Sequence, residues 1–259
     1  MKNSSIKSSS RTILLSVGAM ILGVLFIDIY GIIIKFLGDA YSTNQVVLFR
    51  NLFAIIPLLI LIFYTNENLK IFKKITKKFI ILCFVRGQCF LFMNVFYFIA
   101  INNMDFATAS TLTFSATFFI VILSILFLND KVGIYRWSAV FIGFIGVAMI
   151  MKPTSDVFSY YSIYPVMVGL LYSIAIIILK FIPVYNSTAK IQFYSLISSI
   201  IGAVILLAIT LDTKFIQSYQ DLLMLVSIGV LGGSAGILFI YAYRLIEASK
   251  LAVFEYLAI

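Results

Sequence analysis

An all-α polytopic membrane protein, an inverted repeat of five transmembrane helices (5+5) that breaks off within helix 9, is the fold this sequence predicts. Three features predict it. Apolar runs of about 20 residues recur along the chain, the length a helix needs to cross ~30 Å of hydrocarbon. Lysine and arginine collect in alternate connections between the runs. Short pieces of the first half return in the second at a shift of 142–145 residues.

The 259 residues are 63% hydrophobic and 11% charged. A soluble domain would carry about 45–50% apolar and roughly 25% charged residues. Lipid offers bare backbone amides no partner, so only helices and closed barrels span it. The runs are continuous rather than alternating, which excludes a barrel. The net charge of +9 does not point to nucleic acid, because the basic residues sit between the apolar runs. Cys83 and Cys89 are six apart within one run, neither metal-ligand nor redox spacing, and read as buried thiols. The first run exceeds the roughly 7–15 apolar residues of a cleavable signal.

The predicted spans, in order, are 12–34, 45–64, 79–101, 106–128, 134–151, 160–181, 188–210, 221–242 and a ninth from 248. Residues 1–11, rich in Ser and Lys, read as a disordered cytoplasmic tail. Residues 12–152 form the first repeat and 160–259 the second, incomplete one. With the N-terminus inside, the inner segments hold 14 of the 19 basic residues, five of them in the Lys70–Lys78 connection. The outer segments hold Lys35, Lys152 and Lys214. Cytoplasmic loops collect Lys and Arg, so this split sets both count and direction. The repeat aligns Tyr30-Gly31-Ile32 with Tyr172-Ser173-Ile174 and Lys35-Phe36-Leu37 with Lys180-Phe181-Ile182. Ser42-Thr43 meets Ser187-Thr188, Gly87 meets Gly229, Ala100 meets Ala242, and Ala116 meets Ala258. Five spans per copy turn the second copy upside down, a common transporter architecture with the solute held between the copies. The chain stops at Ile259 soon after the ninth span begins, so a ten-helix parent is expected.

Charges within the spans are the default places to look for function, because burying them in lipid is costly. Asp28 and Arg50 lie at similar depth in neighbouring spans, which predicts an ion pair. Arg86 and Glu255 share a depth nearer the inner side. Arg86, Phe90, Asn94 and Tyr97 follow at spacings of 4, 4 and 3, one face of a helix. That face suits a water-filled cavity for a polar or anionic solute. Thr111 and Ser115, on a hydroxyl-rich helix, read either as solute contacts or as interhelical glue. Tyr30 and Tyr172 occupy equivalent places in the two copies and are further cavity candidates. Gly229 with Gly233, Gly232 with Gly236, and Ala139 with Gly143 have the small-xxx-small spacing of close helix packing. Gly232 to Gly236 also matches the hydrolase pattern G-x-S-x-G, but within a membrane helix and in a chain without histidine. No cofactor and no metal site is predicted.

Phe49-Arg50-Asn51, Arg86-Gly87, Ala107-Thr108-Ala109-Ser110 and Leu128-Asn129-Asp130-Lys131 then occur in order. So do Trp137 through Gly143-Phe144-Ile145-Gly146-Val147, Lys152-Pro153, and Ala248 through Phe254-Glu255-Tyr256. In this order and spacing the chain resembles the EamA group of the drug/metabolite transporter superfamily, over essentially its whole length. It departs in carrying Asp130 where the group usually has Glu, and in lacking proline mid-way through helices 4 and 9. The resemblance implies two inverted five-helix repeats, both termini cytoplasmic, and a central cavity. Members move amino acids and other metabolites, S-adenosylmethionine and riboflavin among them.

The expected function is therefore secondary active transport of a small polar metabolite across the inner membrane by alternating access. The solute would be an amino acid or a nucleoside-like compound such as S-adenosylmethionine. Arg86 would attract an anionic group, or pair with Glu255 in one state. Glu255 is the candidate proton carrier for coupling, since a carboxyl in low dielectric can exchange its charge for a proton. The expected partners are solute, bilayer and a coupling proton, in a monomer or homodimer. A non-transporting receptor or scaffold is the alternative, and an intramembrane enzyme the weaker one.

Overall fold

The computed structural model describes residues 10–67, 70–130, 132–151 and 159–258. Every regular element among them is helical: α1 (Ser10–Leu37), α2 (Thr43–Phe53), α3 (Ile55–Tyr64), α4 (Lys77–Asn103), α5 (Phe106–Thr113), α6 (Ala116–Leu128), α7 (Ile134–Met151), α8 (Ile163–Phe181), α9 (Thr188–Thr210), α10 (Tyr219–Leu245) and α11 (Ala248–Leu251). A tighter 3₁₀ segment, Ala252–Ala258, continues α11. Among the described residues seven spans are long and apolar enough to cross a membrane, with α2 and α3 counted as one and α5 and α6 as another. The apolar part of α7, Ile134–Gly146, is shorter. Residues 10 and 11, expected in the tail, form the first turn of α1; residues 1–9 and Lys152 lie outside the described residues.

The helices begin where side chains can cap them. Ser42, Thr76, Asp105, Ser187 and Ser218 each accept a hydrogen bond from the backbone N–H three residues on. Each thereby satisfies one of the donors a helix start leaves free. Two expected helices are broken. The second divides at Ala54, because Pro57 has no N–H for the carbonyl of Phe53 and its ring crowds that carbonyl. The fourth divides at Phe114 and Ser115 without a proline. There the Thr111 and Thr113 hydroxyls donate to the carbonyls of Ala107 and Ala109 (2.8 and 2.9 Å), a contact that bends helices.

Packing runs between the halves of the chain. α1 lies along α10, α4 along α8 and α9, α2 and α3 against α10, α6 against α8, and α2 against α9. Glycine permits the closest of these approaches. A Cβ on Gly229 would stand 3.0 Å from the Arg50 carbonyl oxygen, and one on Gly87 would stand 2.7 Å from Ser198 Cβ. Polar bonds join the same helices: Gln88 donates to the Ser198 carbonyl (2.7 Å), and the Ser198 hydroxyl donates to the Phe84 carbonyl (2.9 Å). Large apolar side chains such as Leu14, Phe36, Phe63 and Ile142 face outward, as a surface in contact with lipid requires. Cys83 and Cys89 are free and buried.

Candidate functional site

A cavity enclosing about 1160 Å³ of empty space, its open side included, lies between the helices of the bundle. α1, α2, α4, α5, α6, α8, α9 and α10 contribute to its wall, as does the final 3₁₀ segment. α1 presents Asp28 and Tyr30, α2 Arg50 and Asn51, and α4 Arg86, Phe90, Met93 and Tyr97. α5 adds Ser110 and Thr113, α8 Tyr172, α9 Gln192, Ser195 and Ser199, α10 Gly232 and Phe239, and the last turn Glu255.

Arg86 is among the largest fully buried side chains, 1% exposed. Its guanidinium lies over the Phe90 ring, with Cζ 4.6 Å from the centroid. Phe90 sits one turn further along α4, so the helix itself holds the arginine flat. The Arg86 Nε and Nη2 donors have no hydrogen-bond partner.

Glu255 is clamped differently. Tyr172 and Tyr243 both donate to its Oε1, at 2.9 and 2.5 Å. Tyr172 also packs edge-on against Phe239, centroids 5.8 Å apart. Tyr30, also on the wall, meets Tyr97 edge-on at 6.3 Å. The cavity thus combines aromatic rings, two guanidinium groups and two carboxyl groups, the means to hold a small solute with apolar and charged parts. Among the described residues no cluster of His, Cys, Asp or Glu could hold a metal ion.

Of the residues expected here, the structure brings together Asp28, Tyr30, Arg50, Arg86, Tyr97, Tyr172 and Glu255. Asn94, Thr111 and Ser115 lie off the wall, and each departure has a geometric cause. A helix turns about 100° per residue, so Asn94 sits roughly 80° around α4 from Arg86, while Met93 and Tyr97 sit within about 20°. Met93 takes the expected place, and Asn94 is 0% exposed with its amide donating to the Phe90 carbonyl (2.5 Å). Thr111 turns its hydroxyl back to its own helix. Ser115 falls at the break before α6, which turns it onto α8, its Oγ 2.8 Å from where a Cβ on Gly169 would stand.

The expected Asp28–Arg50 ion pair is not formed. Arg50 Nη1 donates to Asn51 Oδ1 (2.9 Å) and Nη2 to the Gly232 carbonyl (3.3 Å). The guanidinium lies so close along α10 that a Cβ on residue 232 would stand 2.8 Å from its Nε. Nor do Arg86 and Glu255 pair. Among the described residues the ion pairs are Glu247 with Arg136 (3.3 Å) and with Lys250 (2.9 Å), both beyond the end of α10.

Several wall residues were not foreseen. Gln192, Ser195 and Ser199 form a polar stripe at spacings of 3 and 4 on α9, a pattern legible in the sequence. Asn51 carried no such signal. Tyr243, which reaches the cavity only through Glu255, carried none either.

Comparison with known proteins adds to this geometry. A model of the EamA-like transporter family matches residues 14–152. An S-adenosylmethionine uptake transporter of Rickettsia felis is 26% identical over 247 residues, 95% of this chain and 81% of the relative. A pseudopaline exporter of Pseudomonas aeruginosa is 29% identical over 179 residues, 68% of this chain and 61% of the relative. A solved crystal structure superposes with a TM-score of 0.75 at 14% identity, covering 97% of this chain and 86% of its own; that likeness concerns the fold alone.

Proposed function

The chain belongs to the EamA-like transporter family, a multi-pass membrane carrier of small molecules, and we propose that it carries S-adenosylmethionine or a related amino-acid compound across the inner membrane. One observation carries the reading. A buried guanidinium, Arg86, stands on the wall of a central cavity with two donors that no group among the described residues satisfies. Among the curated relatives that match nearly the whole chain are S-adenosylmethionine uptake transporters of Rickettsia species, and a further one, from Helicobacter pylori, is named only as a transporter.

Alternating access is the proposed mechanism, with residues 12–152 and 160–259 as inverted copies rocking around the cavity. The capping pattern supports the repeat. Ser42 and Ser187 cap α2 and α9 at a shift of 145, and Thr76 and Ser218 cap α4 and α10 at a shift of 142. Packing supports it too. Exchanging α1 for α8 and α4 for α10 turns the α1–α10 contact into the α8–α4 contact, and both are extensive.

Corresponding bonds link the two halves of the chain at opposite ends of the bundle. At the end where α1 finishes, Gln45 exchanges two hydrogen bonds with the Lys214 backbone (2.6 and 3.0 Å), and Ser42 donates to the Asp212 carbonyl (2.6 Å). At the end where α1 starts, Lys190 donates to the Lys73 carbonyl (2.7 Å) and Ser187 to Glu67. The second end carries Lys180, Lys190 and Arg244, consistent with a cytoplasmic face and a cytoplasmic N-terminus. Glu255 is the proposed proton carrier.

The test is uptake of labelled S-adenosylmethionine into liposomes holding the purified protein. Saturable uptake, lowered at least about tenfold by Arg86→Ala and deprived of its dependence on a pH gradient by Glu255→Gln, is the expected result. Wild-type rates in both variants would reject these roles.

A further inference from the structure

Resting on the transporter reading, we infer that the seam between α4 and α9 is a carboxylate-binding subsite formed by Arg86, Gln192, Ser195 and Ser199. All four line the cavity, and each is at most 8% exposed. The three α9 residues share one helical face through their spacing. Gly87 seats the neighbouring turn of α4 directly on α9, in contact with the Ser195 carbonyl and Ser198. Arg86, one residue earlier, turns about 100° from that contact and lines the cavity that both helices border.

Among the described residues Arg86 Nε and Nη2 and Ser199 Oγ are buried without a hydrogen-bond partner, and Ser195 Oγ has the Cys83 thiol, a weak partner, beside it. Buried polar groups in folded proteins are nearly always paired, so three unpaired hydrogen-bonding groups and a weakly paired one, on two helices that line one cavity, need a common cause. The Nε–H and Nη2–H bonds of an arginine point the same way and match the two oxygens of a carboxylate. Stacking on Phe90 holds that edge in place. The hydroxyls and the Gln192 amide add neutral donors, as a single negative charge requires. Among the described residues no carboxyl group pairs with that edge, and Glu255 is held by Tyr172 and Tyr243.

The rest of the cavity favours a carboxylate over a phosphate. Asp28 and Glu255 line the same cavity, where they would repel a doubly charged anion and attract a cationic group on the same solute. The class of ligand is then a zwitterion whose carboxylate lies at the α4–α9 seam.

The experiment compares compounds that differ in the carboxyl group alone. Thermal stability of the purified protein is titrated with S-adenosylmethionine and its decarboxylated amine analogue. A panel of L-amino acids with their matching amides, and inorganic phosphate, follow. The acid forms are expected to bind at least about tenfold more tightly than their carboxyl-free partners. Ser195→Ala/Ser199→Ala is expected to weaken the acid forms about tenfold and leave the carboxyl-free forms unchanged, and Arg86→Lys to abolish the difference. Should the double variant not fold, Ser199→Ala alone supplies the same comparison.

Equal binding of acid and carboxyl-free forms overturns the subsite, as does a panel in which no carboxylate stabilises the protein or in which phosphate binds in preference. Liposome flux separates the two readings. Uptake without carboxylate discrimination rejects the subsite and keeps transport. Carboxylate-selective binding without flux does the reverse.

Discussion

Arg50 and Arg86 show how two buried guanidinium groups on one cavity wall come to differ. Arg50 is bonded to Asn51 and to the Gly232 carbonyl, so it ties α2 to α10. Arg86 rests on its own helix through Phe90 and keeps two donors unpartnered. Glycine makes the first arrangement possible. Gly229→Ala would place a Cβ against Phe53 and the backbone of Arg50, neither of which can swing aside. It is expected to destabilise the protein by about 1–3 kcal/mol, read as a lower melting temperature. Gly18→Ala meets nothing within 4 Å and should leave melting unchanged.

Glu247, at the end of α10, titrates. Partial burial pushes its carboxyl up, but the hydrogen bond and charge of Lys250 and the charge of Arg136 outweigh it, so its pKa lies below the ordinary value. A carboxyl depressed in the folded state stabilises above its unfolded pKa and loses that contribution as pH falls through the folded one. The pair is exposed, so Glu247→Gln should cost at most about 1 kcal/mol at pH 7. The melting difference between wild type and variant should begin to shrink as pH falls past the ordinary glutamate value of about 4.3 and vanish only once pH lies below the depressed folded value.

The elements that bear on opening are the starts of α2 and α9. Each is capped by a serine, and each is held to a loop from the other half of the chain by the side chain three residues after that serine, Gln45 or Lys190. Lys190 also lies over the Phe79 ring, 4.8 Å from its centroid. Cys83 follows one turn along α4 and is 1% exposed. Lys190→Met should loosen this end and speed maleimide labelling of Cys83, measured in a Cys89→Ser background. Gln45→Ala loosens the opposite end and should leave that rate unchanged. Equal acceleration by both would show that the two ends do not open separately. The helix breaks belong to this scale as well. The one at Ala54 follows from Pro57, but the one at Phe114 and Ser115 comes from threonine hydroxyls turned back onto their own helix. It was not foreseen, because the same hydroxyl pattern also suits an unbroken helix.

For the molecule as a whole, membrane class, helical architecture and membership of the transporter family were all legible in the chain. A span is chosen by its own hydrophobicity, because no partner in lipid substitutes for internal backbone bonding. Its start is chosen by a capping residue within three positions. These are local causes, and a sequence displays them. The cavity is not local. Asp28, Arg86, Tyr172 and Glu255 meet there because α1, α4, α8 and the last turn present particular faces to one point. Faces depend on rotation, and an error of one residue turns a side chain about 100° away. Asn94 was misplaced by that drift, and Ser115 by a break that reset the rotation. The Asp28–Arg50 pair failed for a related reason: equal depth was readable from the sequence, but a glycine carbonyl on α10, far along the chain, competed for the guanidinium. The sequence by itself determined that this chain spans a membrane as helices and which few charges it buries there. Only the tertiary structure decided which of those charges face one another, because helix rotation and interhelical competition arise when distant segments pack.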